Sequence, residues 1–86
     1  MTGHPIFFDL VRPADLALAA RTRVDLAAGR ARIEREAAGV TAAEVAATLN
    51  VTRSAVWMWE TGTRRPSAGH ALAYGRLLAS LTRAAA

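Results

Sequence analysis

Between residues 41 and 61 the chain spells out two short helices and the corner that joins them. Thr41 followed three residues later by Glu44 is a capping box, in which each side chain accepts a hydrogen bond from the other residue's backbone amide at a helix start. From there Val45, Ala46 and Leu49 fall on one face of a 3.6-residue repeat, leaving Ala42, Ala43 and Thr48 toward solvent or a partner. Asn50 breaks the pattern. Asparagine tolerates the left-handed backbone region better than most non-glycine residues, so it suits the corner, after which Val51 returns to the core. Thr52 is a good N-cap for a second helix, and Gly62 is the residue type favoured just past a helix end. The second helix is therefore predicted over residues 53–61.

Successive helical residues point about 100° apart, which sorts that helix into two faces. Ala55, Val56 and Trp59 share the core side, while Arg53, Ser54, Trp57, Met58 and Thr61 share the other. A helix presenting such a face can enter the DNA major groove: Arg53 and Ser54 offer hydrogen bonds to base edges, and Trp57 or Met58 offers apolar contact to thymine methyls. Arg53 is the strongest candidate for a base contact, with guanine as its natural partner.

The stretches Val45-Ala46, Val51-Thr52-Arg53-Ser54-Ala55-Val56, Trp59-Glu60-Thr61-Gly62 and Arg64-Arg65-Pro66-Ser67 resemble the Xre-type, phage-repressor-like helix-turn-helix family over roughly residues 30–82. The resemblance implies that the early alanine of the first motif helix packs on the second helix. It also implies that Thr52, Arg53, Ser54, Trp57 and Met58 occupy DNA-facing positions. Three positions depart from the family's habit. Asn50 stands where glycine is usual, Ala42 where a phosphate-touching glutamine is common, and Trp57 and Met58 are bulky and apolar where the family is small, polar or basic. The last departure allows part of this face to meet protein. Small single-domain members include phage repressors, Cro-like proteins and antitoxins, which the resemblance implies without ranking.

A chain of 86 residues, half of them apolar, suits one helical domain. All eleven basic residues are arginine, which favours planar, bidentate contacts with phosphate or guanine. Residues 1–50 carry six Arg against six Asp and Glu, whereas residues 51–86 carry five Arg against Glu60 alone. The positive excess thus lies in and after the proposed reading helix, as counterion release and steering toward a polyanion require. There is no cysteine, so neither disulfides nor cysteine-ligated metal hold the fold. With no long apolar span and no secretory leader, a soluble cytoplasmic protein is expected.

Residues 1–12 read as an extended arm in which Ile6, Phe7, Phe8, Leu10 and Val11 form an apolar run punctuated by Asp9. Pro13 suits a first helical turn, and Ala14 to Ala38 is rich in helix formers with Gly29 as its weak point. Either one long helix or two helices meeting near Gly29 fits. Leu16, Ala20, Val24, Ala27 and Ala31 make one stripe, and Ala19, Leu26 and Ile33 another, so two packing partners are expected. Residues 1–29 lie outside the resemblance and are taken as a dimerisation element through Phe7, Phe8, Leu16 and Val24; the competing reading folds them back over their own core.

Beyond Gly62, Pro66 makes Thr63 to Ser67 a loop from which Arg64 and Arg65 can anchor phosphate, and Ser67 can cap a last helix over about 68–83. Ala71, Leu72, Leu78 and Leu81, with Tyr74 or Gly75, would close the domain, and Ala84 to Ala86 should fray. Glu60 is expected to pair with Arg64 or Arg35. His4 and His70 stand apart, with no acidic or cysteine constellation around them, so no metal, cofactor or catalytic role is assigned.

The expectation is an all-α, phage-repressor-like helix-turn-helix domain of four to five helices over residues 30–86, preceded by a helical extension and apolar arm over 1–29. Its expected function is sequence-specific regulation from a double-stranded DNA operator as a homodimeric phage or prophage repressor. The alternative is a protein-interaction module such as an antitoxin, with DNA binding secondary.

Overall fold

The structure is a computed structural model that describes residues 12–85. The apolar arm with Phe7 and Phe8 lies outside the described residues. Within them the chain is all helical: α1 is Pro13–Ala27, α2 Arg30–Ala37, α3 Ala42–Leu49, α4 Arg53–Glu60 and α5 Ala68–Ala85. Pro13 sits at the start of α1, where its missing amide hydrogen is not needed. The open question at Gly29 resolves as two helices, because this residue takes φ 84°, a left-handed conformation that no helix interior accommodates. Ser67 caps α5 by accepting from the His70 amide at 3.1 Å. That helix continues to Ala85, beyond the expected end near Arg83.

Leu26, Ala31, Val45, Ala46, Val56, Trp59, Tyr74 and Leu78 form the main core, drawing on all five helices. Each large apolar side chain fully removed from water contributes about 1.5–3 kcal/mol. A second, smaller cluster of Ala19, Ala71 and Leu72 joins α1 to α5. These two helices approach so closely that a Cβ built on Gly75 would lie 2.3 Å from Thr22 Oγ1 and 3.1 Å from Leu18 Cδ1. Thr22 tolerates burial there because its hydroxyl donates to the Leu18 carbonyl of its own helix at 2.7 Å. Arg76 reaches from α5 to Asp15 at 3.2 Å, holding the start of α1.

The stripes expected of residues 14–38 need correction. Leu16 and Val24 are 51% and 59% exposed, and of their stripe only Ala31 is buried. In the second stripe Ala19 and Leu26 are buried but Ile33 is 66% exposed. The packed face of α1 is Ala19, Thr22 and Leu26, a set of small and polar residues around one leucine.

Candidate nucleic-acid interface

The helix-turn-helix unit forms through short-range bonds. The Thr41 amide donates to Glu44 Oε1 at 2.8 Å and the Glu44 amide to Thr41 Oγ1 at 3.1 Å, completing the capping box. The bond from the Thr41 backbone, and then that from its side chain, hold the Glu44 carboxyl below its usual range. Asn50 turns the corner in the left-handed region at φ 57°, ψ 48°, and the Val51 amide closes back on the Ala46 carbonyl at 2.9 Å. Thr52 starts α4 by accepting from the Ala55 amide at 3.0 Å. Gly62, at φ 75°, leads the chain away from its far end.

The inward side of α4 is Val56, Trp59 and Glu60, all buried. Glu60 accepts from Arg35 Nε at 2.7 Å and from Arg35 Nη2 at 2.9 Å, and the Tyr74 hydroxyl donates to the same carboxylate. Arg35 spends another donor on the Val40 carbonyl at 2.8 Å. Of the two partners expected for Glu60 the structure thus selects Arg35, and it adds Tyr74, which sequence reasoning placed only as core. Burial pushes the Glu60 carboxyl up, but hydrogen bonds from Arg35 and Tyr74 and the Arg35 charge outweigh it, leaving Glu60 below the usual carboxylate range. Tyr74 is held above the usual phenol range by burial and by the bond to Glu60. The triad bolts the end of α4 to α2 and α5, which fixes how the helix's other side is presented.

That other side carries Arg53, Ser54 and Thr61, all exposed, with Trp57 at 59% exposure and Met58 half-buried. Thr52 is exposed at the helix start; its oxygen is used by the cap, which leaves the hydroxyl hydrogen free to donate. Thr61 is engaged differently, since its hydroxyl donates to the Trp57 carbonyl at 2.8 Å and lies 2.9 Å from Thr63 Oγ1. Its hydroxyl is committed to the end of α4. Arg64 and Arg65 follow in the loop, both exposed, and the Arg64 amide holds the Met58 carbonyl at 3.1 Å. Among the described residues no carboxylate lies within ion-pair distance of Arg53, Arg64 or Arg65. The acid of α4 faces inward and is neutralised there, so the outward face and its flanking loop keep their positive charge.

One further cation adjoins this loop. Arg23 of α1 donates through Nε to the Pro66 carbonyl at 3.1 Å, tying the loop to a helix far away in sequence. Burial, and then the charge of Arg65, hold Arg23 below its usual range. Sequence reasoning missed Arg23, because its position beside Arg65 depends on how α1 packs. Among the described residues no group of three or more His, Cys, Asp or Glu is arranged to hold a metal ion, and no helix is long and apolar enough to cross a membrane.

Comparison with known families finds a match to the family described as Helix-turn-helix over residues 32–82, more than half of the chain and the whole of α3, the turn and α4. The matched span begins inside α2 and leaves α1 out. Comparisons with curated proteins and with solved structures give no match.

Proposed function

The chain belongs to the Cro/C1-type, Xre-like helix-turn-helix family of DNA-binding regulators, and from that premise we propose a sequence-specific, double-stranded DNA-binding transcriptional regulator of the phage or prophage repressor kind. The observation that carries this reading is the division of α4: its inner side is bolted down by Glu60, while Arg53, Ser54 and Trp57 stand outward with no internal charge partner. Inserted in the major groove, Arg53 donates two hydrogen bonds to a guanine edge, Ser54 and Thr52 add single hydrogen bonds, and Trp57 and Met58 meet thymine methyls. Thr61 supports the end of the helix beside the groove. Arg64 and Arg65, from the following loop, neutralise phosphates and set the register. A single reading helix covers only a few base pairs, so the protein acts as a homodimer on an inverted repeat, with half-sites about one helical turn apart.

Selection from a random duplex library at near-physiological salt tests this proposal. An enriched inverted repeat bound about a thousandfold more tightly than scrambled duplex is the expected result. Equal, steeply salt-dependent binding to every duplex would contradict it. That outcome would favour the second reading, an antitoxin-like protein-interaction module, which rests on the 59% exposure of Trp57 in the middle of the same face.

A further inference from the structure

A groove of about 430 Å³ runs between α1 and the loop that follows α4. Ala20, Val24 and Ala27 form its α1 wall, with Trp59 and Pro66 opposite. Its lining comes from two short stretches of chain, 20–27 and 59–66. That volume falls within the roughly 300–1,000 Å³ of small-molecule sites, whereas a standard protein partner engages about 20–30 residues a side. Val24, 59% exposed, leaves much of the α1 wall in water, and an apolar body laid on it removes that surface from solvent.

The same groove gathers charge of one sign. Arg23, Arg64 and Arg65 line it, and none of the three has a carboxylate partner among the described residues. Arg23 donates through Nε to the Pro66 carbonyl at 3.1 Å, which holds its guanidinium against the loop and leaves both Nη groups without a partner among the described residues. Burial, and then the charge of Arg65, disfavour the Arg23 cation. An anion beside Arg23 and Arg65 offsets both effects, because it supplies the missing counter-charge and accepts from the unused donors. A carboxylate matches the planar guanidinium fork in bidentate geometry.

We propose that this groove binds a small amphipathic acid, with its apolar body between Val24 and Pro66 and its carboxylate on Arg23 and Arg65. A DNA phosphate, polar throughout, satisfies the arginines but leaves the apolar walls uncovered, so the combination favours an acid with an apolar body. Arg65 also belongs to the loop proposed to anchor phosphate, and an occupied groove withdraws it, so the acid opposes DNA binding. That consequence rests on the DNA-binding reading; the binding site itself does not.

Titrating the full chain with 2-naphthoate, followed by NMR without DNA, tests the site. The expected result is saturable shifts of the Ala20, Val24 and Ala27 methyls and of the Trp59 indole N–H, while the Leu81 methyls, which line a different groove, stay in place. The neutral alcohol 2-naphthalenemethanol should bind at least about tenfold more weakly, since it forgoes a charge-assisted hydrogen bond. Acetate, which has the charge without the body, should not saturate over the same range. Arg65→Gln, at an exposed position, should weaken 2-naphthoate by a similar factor with the fold intact. Equal affinity for acid and alcohol, or undiminished affinity for the acid in both Arg65→Gln and Arg23→Gln, would overturn the proposal, as would unmoved groove signals. Shifts of the same signals that grow with protein concentration alone would assign the groove to a second copy and overturn it too. With an operator duplex added, saturating 2-naphthoate should weaken binding about as much as Arg65→Gln does. Unchanged duplex affinity would overturn the opposition to DNA, whereas a lack of duplex binding by the acid-free protein would count against the DNA-binding reading alone.

Discussion

Glu60 sits on the helix whose opposite side is proposed to read DNA, and its carboxylate is buried with Arg35 and Tyr74 as partners. Removing one member of such a group strands the others: Glu60→Ala leaves the Arg35 guanidinium buried without its counter-charge, and we expect a loss of about 3–5 kcal/mol in urea unfolding. Because the Glu60 carboxyl is depressed in the folded chain, its stabilisation is complete above its unfolded value of about 4.3 and is lost as pH falls through the lower folded value. The urea midpoint should therefore drop on acidification below about pH 4, more steeply in the native chain than in Glu60→Gln. An equal slope in both would place the acid sensitivity elsewhere, with Glu44, also depressed, as the first candidate. Sequence alone left Arg35 and Arg64 as rival partners, since side-chain type cannot choose between a residue four positions away and one 25 away; burial of Arg35 behind α4 decides it.

The α3–turn–α4 unit was legible residue by residue because each of its signals is satisfied within a few positions: Thr41 with Glu44, Asn50 with its own backbone, Thr52 with Ala55. The α1–α5 contact was legible only in part. Apolar periodicity offered two stripes, of which Ala19 with Leu26 is the packed one while Leu16 and Val24 stay exposed, and it gave no weight to Thr22, the polar residue that Gly75 approaches most closely. Gly75→Ala tests this contact against helix propensity. Propensity alone favours alanine by about 1 kcal/mol. A Cβ at 2.3 Å from Thr22 Oγ1 must instead force the helices apart, and we expect a net loss within the roughly 1–3 kcal/mol range of core overpacking, read as a lower melting temperature. Adding Thr22→Ala should recover part of that loss, because it removes the nearest clashing atom.

At the scale of the molecule, α1 lies outside the family-matched span yet supplies Leu26 to the main core and Ala19 to the smaller one. We therefore expect residues 30–86 alone to melt without a cooperative transition by circular dichroism, while the full chain melts cooperatively; a cooperative melt of the short chain would make α1 dispensable. The outward face of α4 and the loop after it share the positive excess of residues 51–86, but they are proposed to do different things with it. The most direct measurement is titration of a selected operator, and of its single-base variants, with Arg53→Ala and Arg64→Ala at several salt concentrations. We expect Arg53→Ala to lose about 1–3 kcal/mol and to relax discrimination at one base position, and Arg64→Ala to weaken all sequences evenly and lower the salt slope by about 1. Undiminished discrimination in Arg53→Ala would contradict the claim that the exposed face of α4 reads DNA sequence.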